Sequence, residues 1–259
     1  MDGHETNAKL EELKNMLVKC QRTELLDVDF FLKRYLEGTC HDVMQAFDRI
    51  ISNYELSQQF PQWYIRESPL KRSHLIKKQI RMAILNTDKD GRPIYIARLG
   101  NCDPRIMTLL DVVSVDDIWI EWILMRFSAA QGLCVLVDLA DLSWRLLKWI
   151  TPQNIKISVK KLRCQPFKDY RFHVVNSNSL MVQTTINVFW PLLPDDIKEM
   201  VKFHFNLEAL YEHIDQKALP KEYGGLNENI DYDVLCAELL EDNQNIFKNF
   251  IVSHKLYRF

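Results

Sequence analysis

Apolar positions in the first sixty residues recur at steps of three and four, the spacing of helices that bury one face. Leu10, Leu13 and Leu17 form one stripe. Asp27 is placed to cap a second helix carrying Phe30, Phe31 and Tyr35, with Gly38 at its end. A third helix is expected from about Asp42 to Tyr54, with Val43, Ala46, Phe47, Ile50 and Ile51 inward. Pro61 and Pro69 punctuate a linker.

From about Leu75 the pattern changes. Asp90-Gly91-Arg92-Pro93 reads as a turn feeding a strand over Ile94–Leu99. A helix capped at Ser114, with Asp117 three residues on, carries Ile118, Trp119, Ile120, Trp122, Ile123, Leu124, Met125 and Phe127. Those side chains cover most of its circumference, so it is expected to be buried on several sides. Leu133–Leu139 is a continuous apolar strand, as in a sheet covered on both faces. Pro152 opens a helix, Phe172–Val175 is a strand, Asn178–Trp190 a helix, and helices return over about Asp233–Phe250. Strands alternating with helices predict an α/β sheet preceded by a helical bundle. Phe189–His204 alternates apolar and charged positions at helical spacing, broken by Pro191 and Pro194. It is expected to form an amphipathic lid hinged at those prolines.

Composition narrows the function. The 259 residues are 47% hydrophobic with a formal net charge of −2. Such near-balance lacks the basic excess that nucleic-acid binding needs. Six cysteines without a Cys-x-x-Cys pair fit reduced thiols in a cytoplasmic setting. The polar start, Met1 to Lys9, has no signal-peptide core. Phe172 to Pro194 lacks Asp, Glu, Lys and Arg, yet its Asn, Gln and Thr residues make it too polar for a membrane span.

Enzyme motifs are missing. Only seven glycines are present, with no phosphate-cradling loop, no Gly-x-Ser-x-Gly elbow and no His-x-x-x-His pair, so no catalytic, metal or cofactor site is expected. Asp138 ends an apolar strand, where catalytic acids sit in open sheets. It reads better as a partner for a nearby turn or cation, and His173 as a hydrogen-bonded core histidine. Hydrolysis or isomerisation through either residue ranks last. Lys156, Lys160, Lys161, Arg163, Lys168 and Arg171 cluster around one helix, with Ile155, Val159 and Leu162 opposite. The cluster is either a solvated face or a patch for anionic headgroups.

Near the end, Leu219-Pro220-Lys221-Glu222-Tyr223-Gly224-Gly225 resembles the Leu-Pro-x-Glu-Tyr-Gly-Gly segment of the CRAL-TRIO lipid-binding family. Four other segments agree in order. Phe30–Leu36 with Asp42 and Ala46-Phe47 resembles the family's helical module, Asp90–Tyr95 its first strand, Val135–Leu139 its central strand, and Ile197-Lys198-Glu199 after Pro191-Leu192-Leu193 its gate helix. The branch it is most similar to holds the alpha-tocopherol transfer protein and the retinaldehyde-binding protein.

The resemblance implies three parts: a helical module over residues 1–70, a lipid-binding domain over 71–228, and a C-terminal helical extension over 229–259. It implies a monomeric cytoplasmic carrier that encloses one tocopherol, retinoid, carotenoid or other isoprenoid and meets membranes transiently. The alternative is an interaction module that recognises anionic headgroups without transfer. Implied cavity residues are Val113, Trp119 and Ile123 on the apolar helix and Leu133, Val135 and Val137 on the central strand. Leu142, Trp144 and Ile150 follow, then Phe172 and Val174, and finally Phe189, Leu192, Ile197 and Val201 near the gate. Some members of the branch bind phosphoinositides beside the gate. Here Lys168 falls at one such basic position, while Tyr170, Asp196 and Met200 occupy others. Lys198 and Lys202, with Lys156, Lys160, Lys161 and Arg171, complete the expected anionic-lipid surface.

Overall fold

A computed structural model describes residues 3–22, 29–65 and 67–255. Three helices open the chain: α1 (Gly3–Lys19), α2 (Asp29–Gly38) and α3 (Val43–Gln59). Leu10, Leu13, Leu17, Leu32, Leu36, Ala46 and Ile50 interlock in a small core of their own. The expected cap Asp27 lies outside the described residues. Asp42 caps α3 by accepting from the Gln45 amide at 2.9 Å, and the helix runs on past Tyr54. Gly38 is required where α2 ends, because a Cβ there would stand 1.4 Å from the Pro166 carbonyl oxygen. Arg34 fastens the same helix to the rest of the molecule by bonding Glu121 at 2.9 Å and the Leu124 carbonyl at 3.1 Å.

Pro61 and Pro69 open 3₁₀ turns, Pro61–Trp63 and Pro69–Arg72, that lead into α4 (Ser73–Ile76). The sheet has five strands in sequential order: β1 (Arg81–Thr87), β2 (Pro93–Arg98), β3 (Leu133–Asp138), β4 (Tyr170–Val175) and β5 (Val201–Phe203). β1 pairs antiparallel to β2, and the others run parallel. The result is a mixed sheet flanked by helices, preceded by the helical region.

Between β2 and β3 runs α5 (Leu109–Leu124). Its cap is not Ser114. Thr108 accepts from the Asp111 amide, and the Asp111 carboxylate accepts in return from the Thr108 amide at 2.8 Å, so the helix starts six residues earlier. Ser114 lies inside the helix and donates to the Asp111 carbonyl at 2.7 Å. Trp119 and Trp122 are fully buried and meet edge to face at 5.3 Å, as the all-round apolar pattern implied.

After β3 come a 3₁₀ turn (Trp144–Trp149) and α6 (Pro152–Cys164), and after β4 comes α7 (Leu180–Phe189). The segment expected as an amphipathic lid hinged at Pro191 and Pro194 is three pieces after α7. They are a 3₁₀ turn (Trp190–Leu192), the single-turn α8 (Asp195–Lys198) and strand β5. Pro191 and Pro194 lack the amide hydrogens a continuous helix would need, and the chain is free to re-enter the sheet beside β4. The chain ends in α9 (Leu207–Tyr211), two short turns, α10 (Tyr232–Glu241) and α11 (Asn243–Lys255). Leu235, Leu239 and Ile246 join the core of the sheet.

A lipid-sized cavity at the carboxyl ends of the strands

Odd-numbered residues of β3 and even-numbered residues of β4 share one face of the sheet, because side chains alternate along a strand. Val137, Phe172, Val174, Val201 and Phe203 on that face line a cavity of about 460 Å³. It lies toward the carboxyl ends of the parallel strands, where open α/β sheets place ligands. α6 forms one wall with Ile155, Val159 and Leu162, and the chain after β3 adds Leu139, Leu142, Leu146, Trp149 and Ile150. α7 covers the cavity with Thr185, Ile186 and Phe189, followed by Trp190, Leu193 and Ile197. Arg81, beside Leu99 and Cys102, is the one charged side chain in the lining among the described residues. Its guanidinium is already bound to Asp116 at 2.7 Å and to the Ile80 carbonyl at 2.8 Å.

The covering helix is unusual on its outer side. α7 carries no charge and starts at Ser179, which accepts from the Val182 amide. Val182, Thr185 and Ile186 turn inward, yet Leu180 is 82% exposed, and Met181 and Val188 are exposed beside it. The Trp144–Trp149 turn packs against α7, and Trp144 is 62% exposed. Large apolar side chains at the surface of a covering helix are costly in water and favour an apolar contact.

The sequence-derived cavity residues divide. Val137, Leu142, Ile150, Phe172, Val174, Phe189, Ile197 and Val201 line the cavity. Seven others do not. Val113 packs with Trp63 and Ile157 in a separate cluster under the proline turns. Trp119 and Ile123 are sealed in the core around α5, and Leu133 and Val135 lie nearer the amino end of β3, within the same core. Trp144 faces solvent, and Leu192 is half-buried outside the lining. The wall of α6 was missed, although its apolar stripe was visible: spacing marked the stripe but not what it covers.

The basic surface is also partly reassigned. Lys161 is buried and donates to Asp117 at 2.8 Å and to the Trp63 carbonyl at 2.6 Å, so it belongs to the interior. Burial raises the Asp117 carboxyl above its ordinary range against the pull of Lys161. Lys156, Lys160 and Lys168 are exposed. Arg163 is engaged by Asp196 at 2.7 Å, and Lys198 by Asp195 at 2.9 Å. Arg171 and Lys202 face the side of the sheet away from the lipid-sized cavity, where they line a second hollow of about 420 Å³. Its charges balance, since Lys89 and Arg92 also line it, as do Asp88, Asp90, Glu199 and Glu212. Tyr170 is buried, with its hydroxyl unpartnered among the described residues, and burial pushes its ionisation upward.

Asp138 is a latch. Its carboxylate accepts from the Ala140 amide at 2.9 Å, Asn176 at 2.7 Å and the Tyr223 hydroxyl at 2.9 Å. Arg98 donates to the Tyr223 hydroxyl at 3.2 Å and also holds Glu222. The Leu-Pro-x-Glu-Tyr-Gly-Gly segment is thereby tied to the end of β3. Gly224 has φ +67°, and a Cβ there would meet the Tyr211 hydroxyl at 1.9 Å, so only glycine fits.

His173 sits on the far face of β4. Its Nδ1 lies 2.8 Å from His204 Nε2, and its ring stacks on His213 at 5.0 Å. Lys202 donates to His213 Nε2 at 2.7 Å. Burial pulls His173 down to about 3 and His204 to about 4. Among the described residues no group of three His, Cys, Asp or Glu side chains is arranged to hold a metal ion, and no helix is long and apolar enough to cross a membrane.

A mixed five-stranded sheet with an apolar cavity at its carboxyl edge, closed by an uncharged helix, defines an α/β lipid-binding domain. The family model for the CRAL/TRIO domain matches residues 77–225, more than half of the chain, and the chain belongs to that family. It is similar to human Clavesin-2, 21% identical over 240 residues that cover 90% of this chain and 72% of the relative. It is similar to human alpha-tocopherol transfer protein-like, 20% identical over 225 residues, 86% of this chain and 66% of the relative. A third relative is the phosphatidylinositol/phosphatidylcholine transfer protein SFH13 of Arabidopsis thaliana. It is 25% identical over 161 residues, 53% of this chain and 25% of the relative. The family membership supports a general role in lipid binding or transfer.

Proposed function

We propose that this protein encloses one hydrophobic molecule, of tocopherol, retinoid, carotenoid or other isoprenoid type, and passes it between membranes without chemical change. The observation that carries the reading is the cavity of about 460 Å³, lined mainly by apolar side chains, under an uncharged helix that exposes Leu180, Met181 and Val188. Burying an apolar chain there contributes about 0.8 kcal/mol per methylene before ordering costs. Two of the relatives carry transfer in their names, one as alpha-tocopherol transfer protein-like and one as a phosphatidylinositol/phosphatidylcholine transfer protein, which supports the same role.

Release would occur at a membrane surface that accepts Leu180, Met181, Val188 and Trp144, with the exposed Lys156, Lys160 and Lys168 adding about 1 kcal/mol each near anionic lipid. Headgroup recognition without transfer is the weaker reading, because Lys161, Arg163 and Lys198 are already engaged and Arg171 and Lys202 face elsewhere. The working protein is a cytoplasmic monomer with residues 71–228 as its lipid-binding part, flanked by the helices of 1–70 and 229–259. Organic extraction of the purified protein followed by mass spectrometry tests the reading. One lipid per chain is expected, and an empty protein that takes up nothing from a lipid panel would refute it.

A further inference from the structure

We propose that the cavity selects a ligand bearing one uncharged hydroxyl group, which Ser158 and Asn154 hold at the cavity rim while the apolar body points inward. The proposal rests on the carrier reading and specifies its ligand class. Both residues line the cavity, next to Ile155, Val159 and Leu162 on α6. They stand four apart on the helix, so their Cβ atoms are about 5–6 Å from each other. Ser158 is exposed and Asn154 half-buried, which puts the pair at the mouth rather than the floor.

Their hydrogen-bonding capacity is open. A helical hydroxyl commonly bonds back to the carbonyl four residues earlier. Thr184 and Thr185 on α7 do so, to Leu180 at 2.9 Å and Met181 at 3.0 Å. The Ser158 hydroxyl makes no hydrogen bond to any described residue. Asn154 donates its amide to the Trp149 carbonyl at 2.9 Å. That bond fixes which end of the carboxamide is nitrogen and leaves Oδ1 without a donor among the described residues. The pair therefore offers one donor, the Ser158 hydroxyl, and an acceptor, Asn154 Oδ1, at neighbouring points. An alcohol or phenol can give its proton to one and receive from the other. An ether or ester can only accept, and a hydrocarbon satisfies neither. A carboxylate or phosphate finds no unbalanced positive charge in the lining, since Arg81 is already paired with Asp116.

The test compares phytol, its methyl ether and the corresponding hydrocarbon phytene. Each is offered in neutral phosphatidylcholine vesicles and measured as probe bound per chain after separation. Phytol is expected to bind about tenfold tighter than the ether, the worth of about one neutral hydrogen bond. Asn154→Ala, which removes the acceptor only an alcohol can use, is expected to abolish that preference, and Ser158→Ala, a helix-favouring change that removes the donor, to weaken phytol and the ether alike. Equal binding of phytol and the ether, a preference that survives Asn154→Ala, or ether binding that Ser158→Ala does not weaken overturns this proposal while leaving the carrier reading intact. Uptake of none of the three overturns both.

Discussion

The Tyr223 hydroxyl donates to the Asp138 carboxylate at 2.9 Å, across 85 positions of sequence, and joins the family's terminal motif to the end of the central strand. An acid at the carboxyl end of a parallel strand is an obvious catalytic candidate. Its three donors instead make it a structural anchor. Tyr223→Phe removes one donor and leaves both Asp138 and Arg98 short of a partner. It is expected to cost about 1–2 kcal/mol, read as a lower urea midpoint with an unchanged slope. An unchanged midpoint would show that the latch adds nothing.

Two adjacent lysines on α6 are expected to behave differently. Lys161→Ala leaves Asp117 buried and unpaired and should cost about 3–5 kcal/mol. Lys160→Ala, on the solvent side, should change stability by no more than about 0.5 kcal/mol. Thermal unfolding of the two variants checks the contrast, and equal losses would contradict the placement of Lys161.

That contrast also shows what the sequence could reveal. Helical phase separates Lys156, Lys160 and Arg163 from the apolar stripe, but Lys161 has an intermediate phase, and only its neighbour Asp117 in the folded chain determines its role. β2, β3 and β4 were legible as apolar runs bounded by turns. β1 follows no alternation, and β5 is three residues hidden in a run that looks helical. The resemblance named Leu133, Val135 and Val137, alternate residues that share one face of β3. It could not say that only Val137, nearest the carboxyl end, reaches the cavity. The terminal motif revealed the family because its Gly224 and Tyr223 answer local steric and hydrogen-bonding demands.

Acid should weaken the fold through the histidines behind the sheet. The folded values of His173 and His204, about 3 and about 4, lie below the ordinary histidine value, so the unfolded chain binds more protons between them. Their stabilising contribution is complete above about pH 6.5 and is lost as pH falls toward 4. Each contributes a slope of up to about 1.4 kcal/mol per pH unit. Urea midpoints at pH 7.5, 6 and 5 should fall in the native protein and fall less in His173→Gln. Identical pH slopes would contradict the placement of the cluster.

The outer face of α7 should govern transfer rather than binding. Leu180→Asp lies outside the cavity lining and should leave ligand affinity unchanged. Burying a leucine is worth about 1.5–3 kcal/mol, so its loss is expected to slow delivery to acceptor vesicles by about tenfold or more. Unchanged transfer would remove α7 from the membrane-contacting surface.

Native mass spectrometry after exposure to isoprenoid-loaded vesicles tests enclosure most directly, run on the native protein beside Val174→Phe, which adds bulk to the cavity wall. The account predicts one added ligand mass per native chain and a bare but folded Val174→Phe chain. A native chain that stays bare, or a variant that loads equally, would contradict enclosure in this cavity.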